Sequence, residues 1–304
     1  MKTYNNIKAK SGIMIVSLFS AIMILLMFLT SCKKETDDQA NLNLSITGLE
    51  DVGSSFRYEG WIMVGGSPVS TGTFSVNSAG QLSKTSFAVD KEQLQSATAF
   101  VLTVEPFPDA NPAPSEQKLM GGDFSASNAT LGINHPAALK TNFLTATGKY
   151  VLATPSTAST TDELSGLWFL SLAMGSPAVG LSLPVLPAGW RYEGWALING
   201  KPVTTGVFTM ATGADATAPY SGPLATPPFP GEDFIVNAPA GTTFPTNLSG
   251  GLAVISVEPF PDNSPAPFLL KPLVATIPNP AMQHQTYNMN LSTASFPTGS
   301  AVKN

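Results

Sequence analysis

Phe56-Arg-Tyr-Glu-Gly-Trp61 and Trp190-Arg-Tyr-Glu-Gly-Trp195 write one segment twice. Each is followed at the same distance by a second match, Gly66-Ser-Pro-Val-Ser-Thr-Gly72 with Phe74 and Gly200-Lys-Pro-Val-Thr-Thr-Gly206 with Phe208. Further on, Val104-Glu-Pro-Phe-Pro-Asp109 with Pro112 and Pro114 returns as Val257-Glu-Pro-Phe-Pro-Asp262 with Pro265 and Pro267. Both copies keep the blocks in the same order, which marks an internal duplication of a folding unit.

Around the first block, Tyr192, Gly194 and Ala196 alternate with Arg191, Glu193, Trp195 and Leu197, the period of a strand with two different faces. Asn199-Gly200 then predicts a type I′ hairpin, which needs positive φ at both central residues, and Gly65-Gly66 meets the same need in the first copy. Pro68 and Pro202 lack an amide donor, so the return strands belong at sheet edges. Gly72 and Gly206 mark bulges or close backbone approaches. Ala99 to Glu105 and Leu252 to Glu258 are the next strands, and Asp90-Lys-Glu-Gln93 can cap one short helix.

Short apolar runs among many Gly, Pro, Ser, Thr and Ala, with 12% charged residues, suit an all-β chain. The expectation is two tandem β-sandwich-like domains with few short helices, residues 41–160 and 161–304, joined through the polar stretch Thr154 to Asp162. Between Phe208 and Val257 the second copy is longer than the first, through a Pro- and Gly-rich stretch from Ala211 to about Gly251. It reads as an exposed loop, whose Tyr220, Phe229, Phe234 and Phe244 either pin it to the sheet or meet a partner. Ser165 to Leu172 has no clear counterpart before copy one, and it can cross between the domains so that the two halves pack as one pseudo-symmetric body.

The start of the chain gives an address. Lys2, Lys8 and Lys10 precede the apolar run Ile13 to Leu29, the pattern of a secretory signal. Leu29-Thr30-Ser31-Cys32 resembles a bacterial lipobox, and Cys32 is the one cysteine of the chain. Residues 1–31 are therefore read as a lipoprotein signal peptide, Cys32 as the acylated residue, and 32–40 as a flexible tether. Two or more acyl chains anchor a protein stably, because each buried methylene contributes about 0.8 kcal/mol. Lys33-Lys-Glu-Thr-Asp-Asp38 also resembles the acidic export signal of some surface lipoproteins, which favours the outer face of the outer membrane over the periplasm. Of 15 basic residues three leave with the signal, so 12 face 20 acidic ones, net −8, and nucleic acid would be repelled.

Gly189, Tyr192, Trp195, Gly200, Pro202, Gly206 and Phe208, with Val257-Glu258-Pro259, Pro265 and Pro267, resemble the extracytoplasmic C-terminal domain of anti-sigma-K factors. Copy one matches with Tyr58, Trp61, Gly66, Pro68, Gly72, Phe74, Val104, Glu105, Pro106, Pro112 and Pro114. The resemblance implies β-rich domains outside a membrane. Phe-Pro-Asp stands where that family tends to place glycines after Glu-Pro, and the sequence offers nothing to hold a sigma factor.

The search for chemistry is short. His135 and His284 do not correspond when Ala129-Thr-Leu131 is laid on Ala275-Thr-Ile277, so no zinc site or other metal site is expected, and no cofactor motif appears. No catalytic residue is assigned. The duplicated acids are Glu59 with Glu193, Glu105 with Glu258, and Asp109 with Asp262. Arg57 and Glu59, like Arg191 and Glu193, share a strand face, where an arginine can fork onto Glu105 or Glu258 and hold the register. Asp109 and Asp262 are candidate ligand-binding acids. Trp61 and Trp195 are candidate sugar platforms, against the plainer reading that they are core. The reading is a non-catalytic binding or structural module of the envelope, with an envelope protein or glycan as partner. The alternatives are a surface carbohydrate-binding or adhesion lipoprotein and, more remotely, a glycoside hydrolase, which would need two acids facing across a sugar.

Overall fold

The two strands of each predicted hairpin pair as the alternation requires. The computed structural model describes residues 38–261 and 264–304, so the leader, Cys32, most of the tether and Asp262 lie outside the described residues. The strands before the linker are β1 (Gln39–Thr47), β2 (Phe56–Val64), β3 (Ser67–Phe74), β4 (Ser86–Asp90), β5 (Ala99–Pro106), β6 (Lys118–Ser125), β7 (Asn128–Leu131) and β8 (Thr147–Leu152). After it come β9 (Gly166–Trp168), β10 (Leu170–Ser171), β11 (Ala178–Val179), β12 (Leu181–Ser182), β13 (Trp190–Ile198) and β14 (Lys201–Phe208). The last are β15 (Gly231–Asp233), β16 (Leu252–Pro259), β17 (Leu273–Thr276), β18 (Tyr287–Asn288), β19 (Asn290–Leu291) and β20 (Thr298–Lys303). The chain is all-β. Among the described residues the α-helix is α1 (Lys91–Ser96), which starts where Asp90 accepts the Gln93 amide at 2.9 Å.

β2 turns into β3 at Gly65 and Gly66 (φ 57° and 83°), and β13 into β14 at Asn199 and Gly200 (φ 52° and 77°), so both hairpins use positive φ twice. Register slips between Gly60 and Trp61 and again between Gly194 and Trp195. Opposite these bulges Gly72 and Gly206 sit at φ 109° and 120°, which favours glycine. β3 and β14 are edge strands, as their prolines demanded.

Beyond the hairpins the two halves exchange strands. In the first, the sheet order is β3-β2-β5-β6-β7-β20-β1-β4, all antiparallel where register is defined. In the second, β14-β13-β16-β17 repeats the first four positions, and β18, β8, β9 and β15 pair in the order of the last four. β8 thus leaves the first repeat to pair with β9, and β20 leaves the second to lie between β7 and β1. Both exchanged strands begin Thr-Gly, at Thr147-Gly148 and Thr298-Gly299.

This corrects three expectations. The halves 41–160 and 161–304 are not consecutive self-contained domains, because each sheet is completed by a strand of the other; Ala40–Asn304 forms one unit. With Gly148 set on Gly299, Leu152 falls on Lys303, and their partners Leu167 and Leu42 become equivalent, so the apolar run from Ser165 does have a counterpart, β1. Finally, Phe100 pairs with Gly122 and Ala253 with Ala275, so Gly122, rather than Ala129, stands where Ala275 does.

The inward faces carry Tyr58, Ile62, Phe100, Leu102 and Val104 in one half and Tyr192, Ala196, Ala253, Ile255 and Val257 in the other, all in one buried cluster. Tyr58 stacks on Phe74 at 5.6 Å and Tyr192 on Phe208 at 5.7 Å. Phe74 also meets Phe87, centroids 6.0 Å apart, so the first sheet curls until its edge strands β3 and β4 approach.

The repeats differ where Phe100 is replaced by Ala253. A Cβ on Gly60 would lie 2.9 Å from the Phe100 ring, and a Cβ on Gly194 would lie 2.5 Å from the ring of Phe169. Phe169, from the segment equivalent to β1, therefore supplies the aromatic that position 253 lacks. We expect Phe169→Ala to cost about 3–5 kcal/mol in urea denaturation, the range for emptying a buried phenylalanine site. A loss below about 1 kcal/mol would remove the role assigned to this ring.

Candidate functional site

Alternation sets Arg57, Glu59 and Trp61 on the outer face of β2, beside Glu105, Thr103 and Val101 of β5 in that register. There the Trp61 indole donates to the Thr103 hydroxyl at 2.9 Å, and that hydroxyl donates to the Glu105 carboxylate. Glu105 also accepts the Ser115 amide at 2.9 Å, which ties the loop after Pro106 back onto the strand. The second copy repeats the relay. Trp195 donates to Ser256 at 2.8 Å, Ser256 to Glu258, and the Phe268 amide to Glu258 at 2.9 Å. Trp61 and Trp195 are only 3% and 2% exposed, and Glu105 and Glu258 both 2%. The sugar-platform reading of Trp61 and Trp195 is thereby corrected. Their faces are covered and their one polar atom is spent on a strand hydroxyl.

The arginines also depart from expectation. Arg57 donates to the carbonyls of Gly53 (3.1 Å) and Phe56 (2.6 Å), and its guanidinium lies 4.3 Å from the centroid of the Phe107 ring. Arg191 lies 3.7 Å from the centroid of Phe260. Among the described residues no ion pair joins Arg57 or Arg191 to a glutamate. The physical reason is desolvation: Glu105 and Glu258 are satisfied inside by neutral donors, and bringing a guanidinium to them would strip its water. The aromatic face at the loop tip binds it while leaving it partly wet. Glu59 instead accepts the Ser70 hydroxyl, and Glu193 the Thr204 hydroxyl, each from the neighbouring edge strand. Burial raises the Glu59 carboxyl above its ordinary range.

Asp109 is exposed and accepts the Asn111 amide at 2.8 Å, a turn within its own loop. Its partner Asp262 lies outside the described residues. No group of three or more metal-ligating side chains occurs among the described residues. The histidines occupy unrelated places. His135 meets Asp123 at 3.2 Å, whereas His284 meets Glu163 at 3.1 Å, and that same Glu163 oxygen accepts the Thr154 amide at 3.0 Å.

Phe107 and Phe260 are the exposed aromatics of the duplicated blocks, at 49% and 45%. The two loops that carry them meet. Gln117 donates its side-chain amide to the Phe260 carbonyl, and a Cβ on Gly189 (φ 82°) would lie 2.6 Å from the Glu116 backbone. Next to this contact a cleft of about 290 Å³ opens between Glu50 to Phe56 of one half and Pro259, Ser264, Pro265 and Phe268 of the other.

The long insertion hides a feature that sequence reading missed. Between residues 211 and 251 the charged residues are Asp215, Glu232 and Asp233. Glu232 and Asp233 are fully buried. Asp233 accepts the Trp168 indole and the Ser156 amide, both at 2.7 Å; Glu232 accepts the Tyr220 amide at 3.2 Å and the Ser221 hydroxyl; Asp215 accepts the Gly231 amide at 3.0 Å. These acids staple the loop to the sheet from within. Tyr220, Phe234 and Phe244 do so by packing, with centroids 5.4 to 6.1 Å apart. The usable signal was three acids, with no base, in an otherwise uncharged stretch.

Comparison with family models, with curated proteins and with solved structures returned no match.

Two outcomes test this geometry. Thr103→Val removes the shared hydroxyl and leaves the buried Trp61 N–H without its acceptor, so stability should fall by about 1–3 kcal/mol, measured by chemical denaturation. Burial, then the charge on Glu232, pushes Asp215 up to about 7. The folded state then holds a proton that the unfolded state releases above about pH 4, the ordinary aspartate range, so stability is lost progressively as pH rises from about 4 and levels off once it passes the folded-state value of about 7. The melting temperature should therefore be a few degrees higher at pH 5.5 than at pH 8, and Asp215→Asn should flatten that difference. An unchanged slope in the variant would contradict it.

Proposed function

We propose that this chain is a lipid-anchored protein of the bacterial envelope, held by Cys32 at the outer membrane and facing outward, whose body is a non-catalytic binding or structural module. The leader, the lipobox-like Leu29-Thr30-Ser31-Cys32 and the acidic tether support the address. So does the resemblance of both repeats to the extracytoplasmic domain of anti-sigma-K factors. A sigma factor and nucleic acid are not its partners on this reading. Among the described residues no helix is long and apolar enough to cross a membrane.

The observation that carries the binding role is the fate of the duplicated residues. Trp61, Thr103 and Glu105, like Trp195, Ser256 and Glu258, are spent inside on one another and on loop amides. Among its aromatics and arginines the duplication leaves at the surface a pair of tips, half-buried Arg57 with exposed Phe107 and half-buried Arg191 with exposed Phe260, on loops that touch. An exposed aromatic braced by arginine is the kind of group that anchors protein contacts. With Trp61 and Trp195 buried, neither indole supports the glycan reading.

The anchor is tested by feeding cells an alkyne-tagged palmitate. Label on the wild-type chain, and neither label nor membrane retention for Cys32→Ser, is expected; label on Cys32→Ser would contradict the assignment. The tips are tested with the double variant Phe107→Ser and Phe260→Ser. It should melt within about 2 °C of wild type, since exposed substitutions move stability little. With the Cys32 anchor intact it should stay in the membrane fraction but give at least tenfold less adduct with other envelope proteins when whole cells are treated with a lysine-reactive cross-linker, and undiminished adducts would rule the tips out.

A further inference from the structure

β20 is held almost wholly by its main chain. It pairs with β1 from Leu42↔Lys303 to Thr47↔Thr298, and with β7 from Asn128↔Val302 to Leu131↔Gly299. Of its six residues only Ala301 is buried. Its counterpart β8 buries Gly148, Tyr150, Val151 and Leu152 and stacks Tyr150 on Tyr287 at 5.3 Å. Side-chain burial therefore ties β8 to its sheet far more strongly than it ties β20. The side-chain latch on β20 is Lys303, whose ammonium donates to the Ala97 carbonyl at 2.6 Å and the Gln95 carbonyl at 3.4 Å and lies 4.1 Å from the Phe124 ring centroid, near the surface.

The seat that β20 fills selects backbone and size. A Cβ at Gly299 would lie 2.4 Å from the Ser45 carbonyl oxygen, so the incoming strand needs glycine there and a small residue two positions on. The chain already passes one such strand each way between its halves, and Phe143 and Phe296, which lie just before the two strands, pack edge to face at 5.8 Å. A second copy carries the same strand and the same seat in the same register. We propose that β20 is exchangeable between copies, the β20 of one chain filling the place between β1 and β7 of another, so that copies assemble by strand exchange.

Register supplies the test. Lys303 donates its amide to the Ser127 carbonyl at 2.8 Å, so two-residue alternation makes Thr130↔Ser300 a non-hydrogen-bonded pair with close side chains, suited to a disulfide. Full-length chains bearing Thr130→Cys and Ser300→Cys, with different tags, are co-expressed, oxidised and run without reductant. Chains with Cys32 alone provide the background. Exchange predicts a covalent heterodimer well above that background, and an intrachain bridge when both substitutions share one chain.

The proposal is overturned if no heterodimer forms while the double variant closes on itself. It is equally overturned if Thr73→Cys, on the exposed edge strand β3, cross-links to Ser300→Cys as well as Thr130→Cys does, because that is collision. Should the double variant fail to close, the mass of the wild-type full chain in mild detergent decides. Exchange predicts dimers that separate only on unfolding, and monomer alone refutes it.

Discussion

A β-sheet has to do something with its edges, and the main-chain hydrogen bonds that close these two edges come from the wrong half of the chain. β1 has no partner on one side until β20 arrives from the far end of the sequence, and β9 has none until β8 crosses from the first repeat. A buried strand left unpaired would carry a row of unsatisfied amides and carbonyls. Each repeat depends on the other for this reason, and the linker from Thr154 to Asp162 joins two bodies that are already interlocked. Phe169 shows the same dependence in side chains: it follows the crossed strand pair and fills the space above Gly194 that Phe100 fills above Gly60.

On this frame the duplicated polar residues divide into two groups. Those on the outer sheet face form a relay from indole to hydroxyl to carboxylate to loop amide, which fixes the loop after each Glu-Pro to its strand. Such a chain is stable only when every member has a partner, which explains why both copies keep a tryptophan, a hydroxyl and a glutamate together. The residues beyond the relay, Arg57 with Phe107 and Arg191 with Phe260, are projected outward. On the proposed function, structure and recognition are served by neighbouring residues of one motif.

Much of this was legible in the sequence. The hairpins, the edge prolines, the bulge glycines, the capped helix and the two-faced alternation of Trp190 to Ile198 all follow from local geometry that single residues dictate. The strand exchange was not, because its signature is only Thr-Gly at the head of two otherwise different strands, and the choice of which half a strand joins is made by tertiary pairing. The arginine contacts were missed for an energetic reason. Opposite charges on one face suggested a fork, but a glutamate already satisfied by hydroxyl and amide gains little from a guanidinium that would have to shed its water. The buried acids at 232 and 233 were passed over because the stretch around them looked like an exposed loop.

The central claim is that each half is completed by a strand of the other, and an NMR contact between β1 and β20 tests it most directly. Leu44 and Ala301 face each other across the two strands, and the Asn304 amide bond to the Asn41 carbonyl makes theirs a non-hydrogen-bonded pair, the kind whose α-protons lie closest. A strong α-proton to α-proton NOE between Leu44 and Ala301 is the predicted result. Its absence, with Ala301 instead giving cross-strand contacts to residues of its own repeat, would contradict the account.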